Sequence, residues 1–155
     1  GCIAFDRTHQ GFGPSLMERY KGMDREADLV VIIAAHNDAF FVKQNKDSLQ
    51  MLSDSLDILL THIKQYCPKA KIAYVTPWFV DRTGFKETIQ IIRKVCRKHH
   101  VPVLDNYNKK SLIKVRDEEF RKQYFQGIKD TAHLNNDGHD LYLPLAEKFL
   151  LKVLK

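Results

Sequence analysis

Asp28-Leu29-Val30-Val31-Ile32-Ile33-Ala34-Ala35 is an apolar run headed by a single acid, and it stops at the polar break His36-Asn37-Asp38. A strand with one wet face alternates apolar and polar residues. This run is apolar at every position, which predicts a central parallel strand covered by helices on both faces. Outward from it, the apolar periods change. Lys46 to Tyr66 carries Leu49, Leu52, Leu56, Leu59 and Ile63 at spacings of three and four, the stripe of an amphipathic helix, and Pro68 ends it. Lys71 to Pro77 is a second buried strand stopped by proline. Trp78 to Gly84 is a loop at its end, Phe85 to His99 a second helix, and Val101 to Asp105 a third short strand. Pro14 to Lys21 suits a short helix. Residues 106–129 are polar and suit short helices around Ile113 and Phe120 to Tyr124. Asn136 to Leu154 closes the chain as a helix with Leu141, Leu145, Phe149 and Val153 as its stripe; Pro144 either kinks it or marks its first turn.

Strands alternating with helices, the strands apolar throughout, predict a three-layer α/β/α doubly wound parallel sheet. The 155 residues fit one domain with a core of its own. At 44% hydrophobic and 28% charged, the composition is that of a globular protein rather than a disordered one. The formal charge of +6 is spread over the helices, with a local cluster from Arg93 to His100. It is not gathered into an aromatic-interleaved stripe, so no nucleic-acid partner is expected. Cys2, Cys67 and Cys96 are far apart and odd in number, which suits unpaired thiols rather than disulfides or a zinc site. No metal-ligand spacing, no phosphate-binding glycine loop and no apolar run of transmembrane length appears; no cofactor is expected.

In a sheet of this kind the site lies beyond the carboxyl ends of the strands. The breaks there are His36-Asn37-Asp38, the Pro77-Trp78-Phe79 loop and Asp130-Thr131-Ala132-His133. An acid three residues before a histidine can bond Nδ1, fix the tautomer and leave Nε2 free to take a proton. The plainer reading of His133 is a partly exposed loop histidine. Asn37 can donate its amide to a developing oxyanion, or it can be a helix cap or Asx turn. Asp38 suits backbone bonding in its loop. His36 faces either into the site or away. His139 suits a structural place in the last helix. His9, His62, His99 and His100 lack an acid at useful spacing and read as surface residues. Trp78, Phe79, Phe40 and Phe41 either line an acyl or sugar pocket or lie as lids on the core.

The chain resembles the SGNH or GDSL hydrolases, α/β/α esterases, lipases, thioesterases and carbohydrate deacetylases, over essentially its whole length. Asp28 to Asp38 resembles that family's third block, a buried strand ending in Gly-x-Asn-Asp, with Asn37 in the place of the oxyanion-hole asparagine. Asp130-Thr131-Ala132-His133 resembles the fifth block, which carries the acid and base of a triad, and Leu134 to His139 its usual continuation. Ala35 stands where glycine is usual, His36 where threonine is common, and Leu134 where proline is usual. Gly1-Cys2-Ile3-Ala4 resembles the end of the second block and the residues after it, making Gly1 the glycine whose amide joins the oxyanion hole.

The Gly-Asp-Ser block that holds the family's nucleophile is absent. Ser15, Ser48, Ser53, Ser55 and Ser111 do not follow a buried strand in a sharp turn. The resemblance therefore implies one SGNH-like domain over 1–155, incomplete at its N-terminus. Its catalytic pair is Asp130 and His133, its oxyanion donors are Asn37 and Gly1, and His36, Asp38, Trp78 and Phe79 are around the pocket. The implied substrate is a small ester, an acyl lipid or an acetylated sugar, cleaved by a serine upstream of this chain. The alternative is an inactive remnant of the fold kept for binding or assembly. Without the family's first strand, the Asp28–Ala35 strand would expose an edge, which another chain or copy can complete.

Overall fold

The structure is a computed structural model and describes residues 2–5, 8, 11, 13–42, 46–108 and 112–155. Among these described residues the sheet has three parallel strands in the order β1 (Leu29–Ile33), β2 (Lys71–Val75) and β3 (Val103–Leu104). β1 and β2 pair in register from Leu29 opposite Lys71 to Ile33 opposite Val75, and Tyr74 and Val75 pair with Val103 and Leu104. The helices are α1 (Leu16–Arg19), α2 (Lys46–Tyr66), α3 (Phe85–Lys98), α4 (Glu118–Tyr124) and α5 (Asn136–Leu154). α2 has the bounds its leucine spacing predicts.

Side chains alternate across a strand, and the two faces meet different layers. Val30, Ile32, Ile72 and Tyr74 enter one core with Leu52, Leu56, Leu59, Leu60 and Ile63 of α2 and Ile89, Ile92, Val95 and Cys96 of α3. Each such leucine contributes about 1.5–3 kcal/mol on burial. α5 packs on β2. Its stripe residues Leu141, Leu145, Phe149 and Val153 are only half-buried. Pro144 lies well inside this helix, where it cannot donate to the carbonyl of Asp140. A second, smaller core gathers Ile113, Val115, Phe125 and Leu134, with Trp78, Phe120, Tyr124 and Tyr142 packed on it.

Three expectations change. The Asp28–Ala35 strand is not central among the described residues: β1 pairs on one side only, and Ile33 is 71% exposed. Ile113 belongs to a buried turn rather than a helix, because its side chain serves the second core. The third strand shrinks to Val103–Leu104, since Pro102 has no N–H to give a ladder.

The strand also ends two residues early. Ala35 is wholly buried with φ of 79°, the left-handed region that glycine favours, which turns the chain sharply after Ala34. A β-branched residue there meets both the backbone penalty and a full core. Ala35→Val is expected to lower stability by about 2–4 kcal/mol, and Ala35→Gly to stay within about 1 kcal/mol of the parent. Denaturant unfolding of the two variants checks this; a neutral Ala35→Val would mean that the residue is ordinary strand.

Candidate active site

The three strand ends open into one cleft of about 570 Å³. β1 and the turn after it supply Ile33, Ala34, His36, Asn37 and Phe40. β2 and its following loop supply Val75 to Trp78 and Arg82, and the end of β3 supplies Asn106. The segment 129–134 and the first turns of α5 close the far side.

Asp130 and His133 meet as their spacing allows. With Nδ1 protonated, His133 donates to Asp130 Oδ2 at 2.9 Å. Asp130 Oδ1 accepts from the amides of Ala132 at 2.7 Å and His133 at 2.9 Å. Partial burial would raise the Asp130 pKa, but these amides and the imidazole outweigh it, so the carboxyl lies below its ordinary value. The His133 side chain is 69% exposed, and among the described residues nothing bonds its Nε2.

The loop that carries the pair is pinned from several sides. Gln126 N donates to His133 O, and Asn135 N to Tyr124 O, both at 3.0 Å, so a short antiparallel bridge closes the loop's base. Trp78 Nε1 donates to Thr131 O at 3.1 Å. Asn135 caps α5 by accepting from Gly138 N at 2.9 Å, and its own amide donates to Gln123 O at 2.8 Å. A Cβ on Gly138 would fall 2.2 Å from Tyr124 O, so only glycine permits this close packing of α4 on α5.

Asn37 precedes the single helical turn Asp38–Phe40, lines the cleft and makes no side-chain cap bond. The helix-cap reading of its side chain therefore fails. His36 also lines the cleft, edge-on to Phe85 with ring centroids 5.4 Å apart. His139, expected to be structural, is exposed on the cleft wall.

Asp38 and Phe79 are not pocket residues. Asp38 is wholly buried, where Ile3 N donates to it at 2.8 Å and Ala4 N at 3.0 Å; it binds the N-terminal segment to the turn after β1. Desolvation raises its pKa against those amides. Phe79 is turned aside, its ring against Tyr107 and the Arg116 guanidinium. Phe41 stacks on Phe5 instead of lining the cleft. Trp78 and Phe40 do line it. Gly1 and His9 lie outside the described residues.

Two histidines read as surface residues are partly buried. His99 Nε2 bonds Asp57 at 2.7 Å across 42 positions, and His62 packs against Tyr20. Sequence spacing could not show either partner. It also missed Arg82, Asn106 and Tyr142 on the cleft wall. Asn106 is buried, and its amide donates to Thr76 O at 3.1 Å and to Tyr142 Oη at 2.7 Å.

Burial, and next the positive charge of Arg82, lower the His36 pKa from 6.5 to about 4. The folded protein thus binds this proton more weakly than the unfolded chain. Its contribution to stability is complete above 6.5 and is lost as pH falls toward about 4. In an NMR titration the His36 ring resonances should stay flat from about pH 8 to about pH 5. An inflection at the ordinary histidine value would contradict the burial.

No family model matches this sequence, and no curated protein matches it. Solved structures do. A protein described as a GDSL-like lipase from Parabacteroides merdae superposes with a TM-score of 0.66 at 18% identity, over 97% of this chain and 70% of its own. A lipase/acylhydrolase from Enterococcus faecalis gives 0.56 at 21%, over 78% and 60%. Phospholipase A1 from Streptomyces albidoflavus gives 0.55 at 17%, over 86% and 74%. The chain therefore has the SGNH hydrolase fold, a parallel sheet flanked by helices.

Proposed function

We propose that this chain carries the acid–base half and part of the oxyanion hole of a serine ester hydrolase. The observation that carries the reading is the 2.9 Å bond between His133 Nδ1 and Asp130 in the cleft that Asn37 also lines. Asp130, fixed by two amides, holds the imidazole in the tautomer with Nε2 unprotonated and steadies the imidazolium that forms. His133 Nε2 takes the proton of a serine hydroxyl as its oxygen attacks the ester carbonyl. The tetrahedral oxyanion accepts a hydrogen bond from the Asn37 amide. Collapse expels the alcohol, which leaves with the proton from His133, and the acyl group stays on the serine. Water then repeats the sequence and releases the acid.

None of the described serines lines the cleft. In this proposal the serine comes from a segment outside these 155 residues. The unpaired side of β1 ends at the cleft beside exposed Ile33, so a strand added there would carry a residue toward His133. That no described serine lines the cleft also suits a second reading, an SGNH fold kept for binding after loss of its nucleophile. Small acyl or acetyl esters are the proposed substrates, by likeness to the lipases and acylhydrolases of this fold.

The test is steady-state hydrolysis of 4-nitrophenyl acetate and butyrate by the full-length protein. His133→Ala and Asp130→Asn are expected to lower kcat by about 10³-fold or more with little change in KM. Asn37→Ala should cost about a hundredfold or more. Full activity in Asn37→Ala or His133→Ala removes the assignment, and no turnover by the parent protein supports the non-catalytic reading.

A further inference from the structure

Arg82 brings to the cleft a cation that no carboxylate among the described residues neutralises. It lies on the loop between β2 and α3 and lines the same cleft as Asn37 and His133. Its guanidinium sits 3.7 Å above the ring of Phe40, itself a cleft residue. The flat face is satisfied by the aromatic, but the donors lie at the edge. Nη1 is shut off from solvent and has no acceptor among the described residues. A buried donor on a charged group without an acceptor calls for an explanation, and a guanidinium set to meet an anion is one.

The carboxylates nearby are engaged elsewhere. Asp81, the adjacent residue, pairs with Arg116 at 2.7 Å. Asp130 is held by His133 and two amides, and Asp38 by the amides of Ile3 and Ala4. Lys129 adds a second positive charge to the cleft wall. Among the described residues the cleft thus presents two cations and a single carboxylate that is already bound. Arg82 lies close enough to His36, another residue of the cleft wall, for its charge to disfavour the protonated imidazole there.

We propose that Arg82, stacked on Phe40, is the anion anchor of this cleft, and that the ester bound there carries a negatively charged carboxylate or phosphate group on its acyl or its alcohol side. This rests on the ester-hydrolase reading for the word ester; the anion site stands on Arg82 alone. A planar guanidinium offers two parallel N–H donors to such a group, a geometry that lysine cannot copy. Holding the charged end at Arg82 would leave the carbonyl to Asn37 and His133. Arg82 is therefore a specificity-determining residue and takes no part in proton transfer.

Trp78 is the one tryptophan in these 155 residues and lines the cleft, so its fluorescence reports ligand binding there. The experiment is a fluorescence titration of the full-length protein, with any tryptophan outside residues 1–155 replaced by phenylalanine, against two matched pairs. Monomethyl succinate against dimethyl succinate places the charge on the acyl side. Acetoxyacetate against methyl acetoxyacetate places it on the alcohol side. In at least one pair the anion should bind about tenfold tighter or more than its neutral partner. Arg82→Gln should bring the anion down to the neutral level and leave the neutral ester unchanged, and Arg82→Lys should restore only part of the difference.

Equal affinity within both pairs in the parent protein overturns the proposal, whatever the variants do. So does a preference that survives Arg82→Gln, or a variant that weakens charged and neutral esters alike, which is what a purely structural stacking role predicts. An Arg82-dependent preference without any hydrolysis supports the anion site while the esterase reading fails. Hydrolysis without a charge preference does the reverse.

Discussion

Parallel pairing of β1 with β2 is the constraint on which the site depends. Five residue pairs hold the two strands in register, and β3 extends the same direction, so three carboxyl ends arrive at one edge of the sheet. Each end is then forced to turn. Ala35 turns β1 in the left-handed region, Pro77 denies β2 a further donor, and the chain leaves β3 at Asn106. The polar groups of three separate stretches of the sequence, around Asn37, Arg82 and Asn106, therefore share a cleft. The buried Asp38 carboxylate fixes the first of these turns from below by holding the amides of Ile3 and Ala4.

The Asp130–His133 loop belongs to a separate packing unit. Leu134 and Phe125 bury themselves in the second core, and the bridge between them closes the loop that exposes His133. Arg121 ties this unit together through the carbonyls of Val115 and Ile128. Trp78 links it to the sheet by bonding Thr131, so the loop after β2 and the loop before α5 are positioned together. The exposed His133 is thus held by its neighbours' burial rather than by its own.

The periodic elements were legible in the sequence because period and burial agree there. The α2 stripe gives that helix its bounds, and the unbroken apolar runs give the strands. The candidate residues were legible where the pattern is local: Asp130 and His133 are three apart, and Asn37 sits in the polar break that ends the first apolar run. They were not legible where partners come from distant positions. Arg82 reaches Phe40 across the break between two strand units, and Asn106 meets Tyr142 across 36 positions. Phe79 and Asp38 misled for the same reason: both stand at strand ends, but a neighbouring ring and two distant amides draw them away. The covered strand expected at Asp28–Ala35 has one free side among the described residues, since pairing depends on a neighbour that its own residues cannot specify.

The central claim is that His133 activates a serine in this cleft. It is tested most directly by treating the full-length protein with a fluorophosphonate and mapping the adduct by mass spectrometry, in the parent and in His133→Ala. The account predicts a single stoichiometric phosphonyl group on a serine of the parent protein, with labelling lost in the variant. A parent protein that takes up no label, or a label that persists without His133, would contradict it.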